Sequence, residues 1–558
     1  MRARAATGAG SGLGPGTVLG LGLVLGLVLG LAGCGGDDTA SKPWDRACPG
    51  PGCAASDGSL EVGAAAETIT PVLVESEWQD LDGNHHWSQN EPFTDVNGNG
   101  KFDAVWLAGH NEGRPARVIR NDTWVRAIAI RDGDTTVVFV TIDALGYFKQ
   151  EMDLIRAALP ASLGVDLLVV SSTHDHSTQD VIGIWGQDDA TTGLDPAYMA
   201  RIRSQAVKAV TRAVDALAPA TLTVGQLRVE EPAGDVRKWI HDSRDPVVID
   251  PFMTVLRFSR AGQPASAAST IATWVLFSAH PDFAGSRDNE LTSDFPHMLR
   301  TGVEAQLGGM CLYSNGEMGA QIGGGNPQTD VVMRRPDGTI TTGAERADLY
   351  GAAIVQFAVR AQGPGSGAET LASAPLRFRT RVIRADVDNY RYQTAALLHL
   401  FDRKLMDYDP ALPLSRPAGN VPRVESEVSL IELGPIAIAT FPGELSPELY
   451  LGGYDGAWSG GNQLVDTTRP FPPDISKAPP GPYLRDLLLA RPGVRYAVGL
   501  GCAQDFLGYI MPTFDFVIDA DDPWFDEAPG EHYEETAGVG SLADAQLIGP
   551  LRLMIATP

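Results

Sequence analysis

Basic residues are in short supply: 43 Lys and Arg stand against 69 Asp and Glu, a formal net charge of −26 at pH 7. A chain this acidic repels the phosphate backbone of nucleic acid and gains no electrostatic grip on anionic lipid, which excludes charge-driven binding to either. A run of about 20 apolar residues, long enough to span a bilayer, is also missing. The one Gly/Leu/Val stretch that comes near it runs from about Thr17 to Leu31 and is too short and glycine-rich. No internal repeat is present, and no linker divides the roughly 490 residues beyond position 67, which argues against several separate domains.

What is present is a set of hydrophobic strands that each run into polar groups. Asp166-Leu-Leu-Val-Val-Ser-Ser-Thr leads into His174-Asp-His176-Ser177. Histidines at i and i+2 of an extended segment share a face, because the side-chain period of a strand is two. Converging imidazoles present nitrogen ligands, or one ligand and one base, to a metal. Ile271 to Ser278 leads to His280, Ile436 to Pro442 leads to Glu444, and the segment from Val498 leads to Tyr509. Ligands of open α/β sheets bind beyond the carboxyl ends of strands, so these four ends can meet in one pocket. Two histidines, a glutamate and a tyrosine form a mixed nitrogen–oxygen shell suited to Zn²⁺ with room for water.

In the order and spacing of these segments the chain resembles the neutral (non-lysosomal) ceramidases. The carriers are Thr173 to Ser177, Trp274 to His280, Pro442 to Glu444, Gln504 to Tyr509, Tyr533-Glu534, Arg237 in Gly234-Asp-Val-Arg-Lys, and Tyr313-Ser-Asn315-Gly316-Glu317. They extend from about Val72 to about Leu551. The resemblance implies one catalytic zinc on His174, His280, Glu444 and Tyr509. It implies His176 as the proton carrier, with Arg237 and Tyr533 on the substrate head and the developing oxyanion. The implied activity is that of an N-acylsphingosine amidohydrolase, which releases fatty acid and a sphingoid base from ceramide or a related lipid amide.

The chain departs from the family pattern in two places where the lipid head should bind. Ser177 leads into Thr178-Gln179-Asp180 rather than a Ser-Gly-Pro-Gly-Gly run, and Glu444 into Leu445-Ser446-Pro447 rather than two threonines. The family's C-terminal β-sandwich is not expected here either, since about two dozen residues follow Tyr533, too few for a domain. A metallo-β-lactamase-type hydrolase also uses His-x-His but continues x-Asp-His, and Ser177-Thr178-Gln179 breaks that pattern. The alternative that stays open is a non-catalytic or differently specific surface lipoprotein on the same fold.

The N-terminus points to a compartment. Arg2 and Arg4 precede the apolar run, which ends in Leu31-Ala32-Gly33-Cys34. This is similar to a bacterial lipoprotein signal of residues 1–33, with Cys34 the lipidated residue that holds the protein to the cell-envelope membrane. Gly35-Gly36 stands where an Asp would retain it at the inner membrane, so the outer membrane is expected. Residues 34–67, rich in Gly, Ala, Ser and Asp, read as a flexible tether, with a disulfide loop from Cys48 to Cys53. Cys311 and Cys502 either pair across the pocket or remain buried thiols.

Residues 68–558 then form the catalytic domain, expected to be α/β with mixed β-sheets flanked by helices. Asp195-Pro196 is an N-cap and N1 pair opening a helix with Met199, Ile202, Ala206, Val210, Val214 and Leu217 on one stripe. Further helices are expected over about 293–308, 347–361, 390–406 and 483–489. Asp95, Asn97, Asn99 and Asp103, with Gly100, have the spacing of an EF-hand-like loop, but Trp106 replaces the closing glutamate. A structural Ca²⁺ loop and a plain Asn-Gly turn both fit.

Overall fold

Thr135–Ile142 is buried along its whole length. A strand with no solvent face must be covered on both sides. The computed structural model, which describes residues 42–230, 236–323, 333–335 and 337–558, shows how. Nine strands form one sheet: β1 Leu60–Thr68, β2 Trp124–Asp132, β3 Thr135–Ile142, β4 Leu167–Ser172, β5 Ala218–Arg228, β6 Phe252–Arg260, β7 Thr270–Leu276, β8 Met310–Ser314 and β9 Glu369–Leu371. Their order is β8-β7-β6-β5-β1-β2-β3-β4, with β9 on β5. The strands β10 Leu376–Asp386, β11 Arg423–Leu433, β12 Ile436–Thr440 and β13 Tyr496–Leu500, with Arg46–Cys48 on β10, form a second sheet.

One core fills the space between the two sheets, with Phe139, Trp274, Ile431, Ile438 and Val498 among its members. On the outer face of the larger sheet, α1 Lys149–Ala158 and α2 Pro196–Asp215 cover β1 to β4. Helices α3 Asp294–Leu307 and α4 Ala344–Ala361 cover its other half. Most neighbours are antiparallel, but β3 with β4, β7 with β8 and β12 with β13 run parallel. All four expected ligand-bearing strands, β4, β7, β12 and β13, belong to these parallel pairs. The expected α/β class with mixed sheets is what the chain adopts.

Asp195 caps α2, its carboxylate accepting from Ala197 N at 2.8 Å, and Met199, Ile202, Ala206, Val210 and Val214 are buried. Two expectations need correction. The tether does not extend to 67, because β1 is an inner strand between β2 and β5. Its small residues serve close packing: a Cβ at Gly63 would lie 2.1 Å from Ala213 O of α2. The helix expected over 390–406 ends early, as α5 Tyr390–Leu397. Leu400 N bonds Ala395 O at 2.9 Å and His399 N bonds Ala396 O at 3.3 Å, with His399 at φ 57°. That is a Schellman stop with histidine where glycine is usual.

Cys48 and Cys53 form the expected disulfide, whereas Cys311 and Cys502 are buried free thiols. Cys34 and residues 17–31 lie outside the described residues, among which no helix is long and apolar enough to cross a membrane.

Candidate metal centre

β4 ends at Ser172, and two residues later His174 turns the chain with φ 65°. Its backbone N donates to Ala144 O, and its Nδ1 lies 2.8 Å from Leu145 O. A carbonyl only accepts, so Nδ1 carries a proton and Nε2 is the nitrogen left to face the site. His280, beyond β7, repeats the device: its Nδ1 lies 2.8 Å from Gln321 O. Both free Nε2 atoms stand 3.2 Å from the same oxygen, Glu444 Oε2. Glu444 is carried on a two-residue strand paired with Tyr509-Ile510, which brings the Tyr509 hydroxyl to 3.5 Å from His280 Nε2.

These separations test whether zinc fits. Tetrahedral Zn–N and Zn–O bonds of about 2.0–2.1 Å set donor–donor edges of roughly 3.3 Å. The observed 3.2, 3.2 and 3.5 Å match that edge. The donors are held by neighbours that fix their tautomers, as metal-binding histidines usually are. His174, His176 and His280 together form a cluster able to hold a metal ion.

Electrostatics sharpen the same picture. Burial would raise the Glu444 pKa, but attraction and hydrogen bonds from His174 and His280 hold it down to about 2. Burial lowers the His280 pKa, and its bond to Glu444 more than reverses this. His176 is different: burial, then His174, His110 and His280, push its pKa well below the usual histidine range. Its Nε2 lies 3.1 Å from His174 Nε2, while its buried Nδ1 has no hydrogen-bond partner among the described residues. Burial followed by Glu444 and Tyr533 pushes the Tyr509 phenol well up, so with only protein around it that group stays protonated.

Tyr533 opens a short helix, and its hydroxyl lies 3.0 Å from that of Tyr509. Arg237 stands on the turn Val236–Trp239 and pairs with Glu230 at 3.2 Å. Thus His174, His176, His280, Glu444, Tyr509 and Tyr533 are brought together, and Arg237 forms an ion pair with Glu230.

Other groups complete the site, and of these Arg244, Ser243, Asp515 and Glu535 carried no sequence signal. Asn315 bridges two ligand loops: its Oδ1 accepts from Ala279 N at 3.0 Å and its Nδ2 donates to Thr173 O at 2.9 Å. Buried Arg244 meets Asp515 at 2.8 Å and Glu535 at 2.9 Å beneath Tyr533. Ser243 donates to Glu534 at 2.6 Å.

In the Asp95 loop the oxygens are taken up locally. Asp95 accepts from the backbone N of Gly98, Asn99 and Gly100, and the Asn97 and Asn99 amides donate to Asp103 at 2.6 and 2.7 Å. Just upstream Asp80, Asp82 and Glu91 each offer an oxygen within 4.8 Å of the others, and these too accept from local backbone N–H groups, of Gly83, Asn84 and His85 on Asp80, Asn84 on Asp82, and Leu81 and Ser88 on Glu91. Asp80, Asp82, Asn84 and Glu91 occupy positions 1, 3, 5 and 12 of an EF-hand-like spacing, a signal legible in the sequence. His85, at φ 69°, takes the place of the usual position-6 glycine.

No family model and no curated protein matches the chain. Solved structures do. A neutral ceramidase from Pseudomonas aeruginosa superposes with a TM-score of 0.59 at 13% identity, over 89% of this chain and 74% of that one. A ceramidase complexed with C2 gives 0.56 at 12% identity, over 90% and 75%. The chain has the neutral ceramidase fold. At this identity the agreement is one of fold.

Proposed function

We propose that this chain is a zinc-dependent hydrolase of the N-acyl amide bond of ceramide or a related lipid amide, releasing fatty acid and a sphingoid base. The observation that carries the reading is the convergence of two imidazole Nε2 atoms and one carboxylate oxygen, at tetrahedral edge distances, on a neutral ceramidase fold. His174, His280, Glu444 and Tyr509 would hold the metal. Zinc in such a shell is a Lewis acid that lowers the pKa of its water to about 7.

The chain's own residues do the rest. His176, held neutral by its surroundings, accepts a proton from the attacking water and returns it to the leaving amine. Tyr533 donates its phenol hydrogen to the developing oxyanion, and Arg237 meets the polar head. Asp180 helps shape the wall after His176, accepting from the backbone N of Ile182, Gly183 and Trp185. This turn stands where the sequence departs from the family, which favours a shifted head-group or chain preference. We also propose that Cys34 is lipidated and anchors the protein to the bacterial cell envelope, at the outer membrane.

The test pairs zinc analysis of detergent-solubilised protein with fatty-acid release from N-acyl-sphingosine, N-acyl amino acids and N-acyl lactones. Release from at least one, with about one zinc per chain, is expected. Bound zinc without activity on any of them moves the reading to the non-catalytic surface lipoprotein. Activity only on phosphate or sulfate esters rejects the reaction class.

A further inference from the structure

Arg114 takes no part in the chemistry above, yet its side chain is 0% exposed. Its Nη2 donates to Ala108 O at 2.6 Å and to His176 O, and its Nη1 to Gly285 O at 3.4 Å. Asp288 and Asp175 act on it through space, and among the described residues no carboxylate forms an ion pair with it. Burial lowers its pKa to about 10, so it stays charged at neutral pH. A buried guanidinium without a bonded carboxylate is an expensive way to satisfy carbonyls. What it gains is a rigid fork that reaches several acceptors at once.

The three acceptors belong to the segments framing His176. Ala108 precedes Gly109, which underlies the His176 ring: at φ +96°, a Cβ there would lie 2.4 Å from His176 Cγ and 2.6 Å from Nδ1. Gly285 follows the His280 turn, and His176 N donates to Pro281 O at 3.0 Å. His174 and His280 are oriented by carbonyls at Nδ1, whereas His176 Nδ1 has no hydrogen-bond partner among the described residues. The aim of the His176 ring therefore depends on its backbone and on the surface beneath it, and Arg114 ties both together.

We infer that Arg114 is a positioning residue that aims His176 by clamping the Ala108, His176 and Gly285 carbonyls, with Gly109 as the surface on which the ring rests. The inference rests on the proposed role of His176 as proton carrier. Because it acts through that ring, its effect vanishes when the ring is gone.

The experiment is a double-mutant cycle. Arg114→Met and Arg114→Lys are made in the wild-type and His176→Ala backgrounds, reading kcat and KM on N-acyl-sphingosine, zinc content and thermal midpoint. Arg114→Met should lower kcat by about 10²-fold with KM and zinc nearly unchanged, and cause no further loss in the His176→Ala background. Lysine should not rescue, because a single ammonium replaces the fork. Should Arg114→Met fail to fold, Gly109→Ala, which strikes the same ring from below, is read in the same cycle. Equal losses in both backgrounds would overturn the inference. If His176→Ala keeps full turnover, the proposed role of His176 fails, and the ring ¹⁵N shifts decide the positioning claim separately. Movement of the His176 resonances alone in Arg114→Met supports it, and unchanged His176 shifts overturn it.

Discussion

His174 and His280 each offer Nε2 because a backbone carbonyl holds the other nitrogen, so removing either imidazole takes a preformed donor from the cluster. His280→Ala is expected to lose both zinc and turnover, measured by metal analysis beside the amide assay; stoichiometric zinc in that variant would remove His280 from the shell. His176→Ala is expected to keep zinc while losing on the order of 10²–10⁴ in kcat. Metal loss equal to that of His174→Ala would make His176 a ligand instead, which its 3.1 Å approach to His174 Nε2 allows geometrically. These residues were legible in the sequence because each follows a hydrophobic strand by a few positions. Asn315 was legible only as part of a motif beside the site, since nothing in Ser314-Asn315-Gly316 states which carbonyl its amide will meet. Arg114 and Arg244 were not legible at all: an arginine's burial is set by distant segments, Gly285 and Asp515 here.

The strands that carry ligands also announce themselves by composition, and β4, β7, β12 and β13 lie within two residues of where their apolar runs place them. The long antiparallel strands β5, β6, β10 and β11 bear no chemistry and mix polar with apolar residues, so the sequence pattern left them unmarked. Loops joining the ligand strands are where element-scale perturbation is felt. Asn315→Asp keeps shape but replaces the donor facing Thr173 O by an acceptor, leaving a buried carbonyl and a buried acid opposed. A destabilisation of about 1–3 kcal/mol or more is expected, with weakened zinc affinity; melts and a zinc titration would show it, and unaltered affinity would mean the bridge does not govern the ligand loops. The helix bearing Tyr533 offers a pH test. Burial raises the Glu534 pKa to about 7, Arg244 only partly opposing it. The folded state then binds a proton that the unfolded chain has released, between about pH 4.5 and 7, so this group lowers stability as pH rises through that window. Glu534→Gln should remove up to about 1.4 kcal/mol per pH unit of that slope. Identical slopes for both proteins in thermal melts across the window would show that Glu534 titrates normally.

Across the whole molecule, the layering of two sheets is what gathers residues from 174 to 533 into one cluster, and the layer order follows from strand pairings that a single sequence does not encode locally. Composition misled at the boundary of the fold for the same reason: Gly and Ala in Leu60–Thr68 read as tether because small residues suit both flexible chain and a strand pressed against a helix. The boundary now falls before Arg46, whose strand pairs with β10. With a net charge of −26, attraction to anionic lipid cannot hold the protein to a membrane. Membrane attachment should therefore be insensitive to salt and wholly dependent on Cys34. In fractionated cells the native protein is expected to stay with membranes through a wash at about 1 M NaCl, where the Debye length is about 3 Å, and to leave them in detergent. Cys34→Ala should abolish lipid labelling and membrane retention without changing zinc content or amide hydrolysis of the solubilised enzyme. Salt-releasable native protein, or a Cys34→Ala variant still bound to membranes, would refute the lipid anchor while leaving the metal centre untouched.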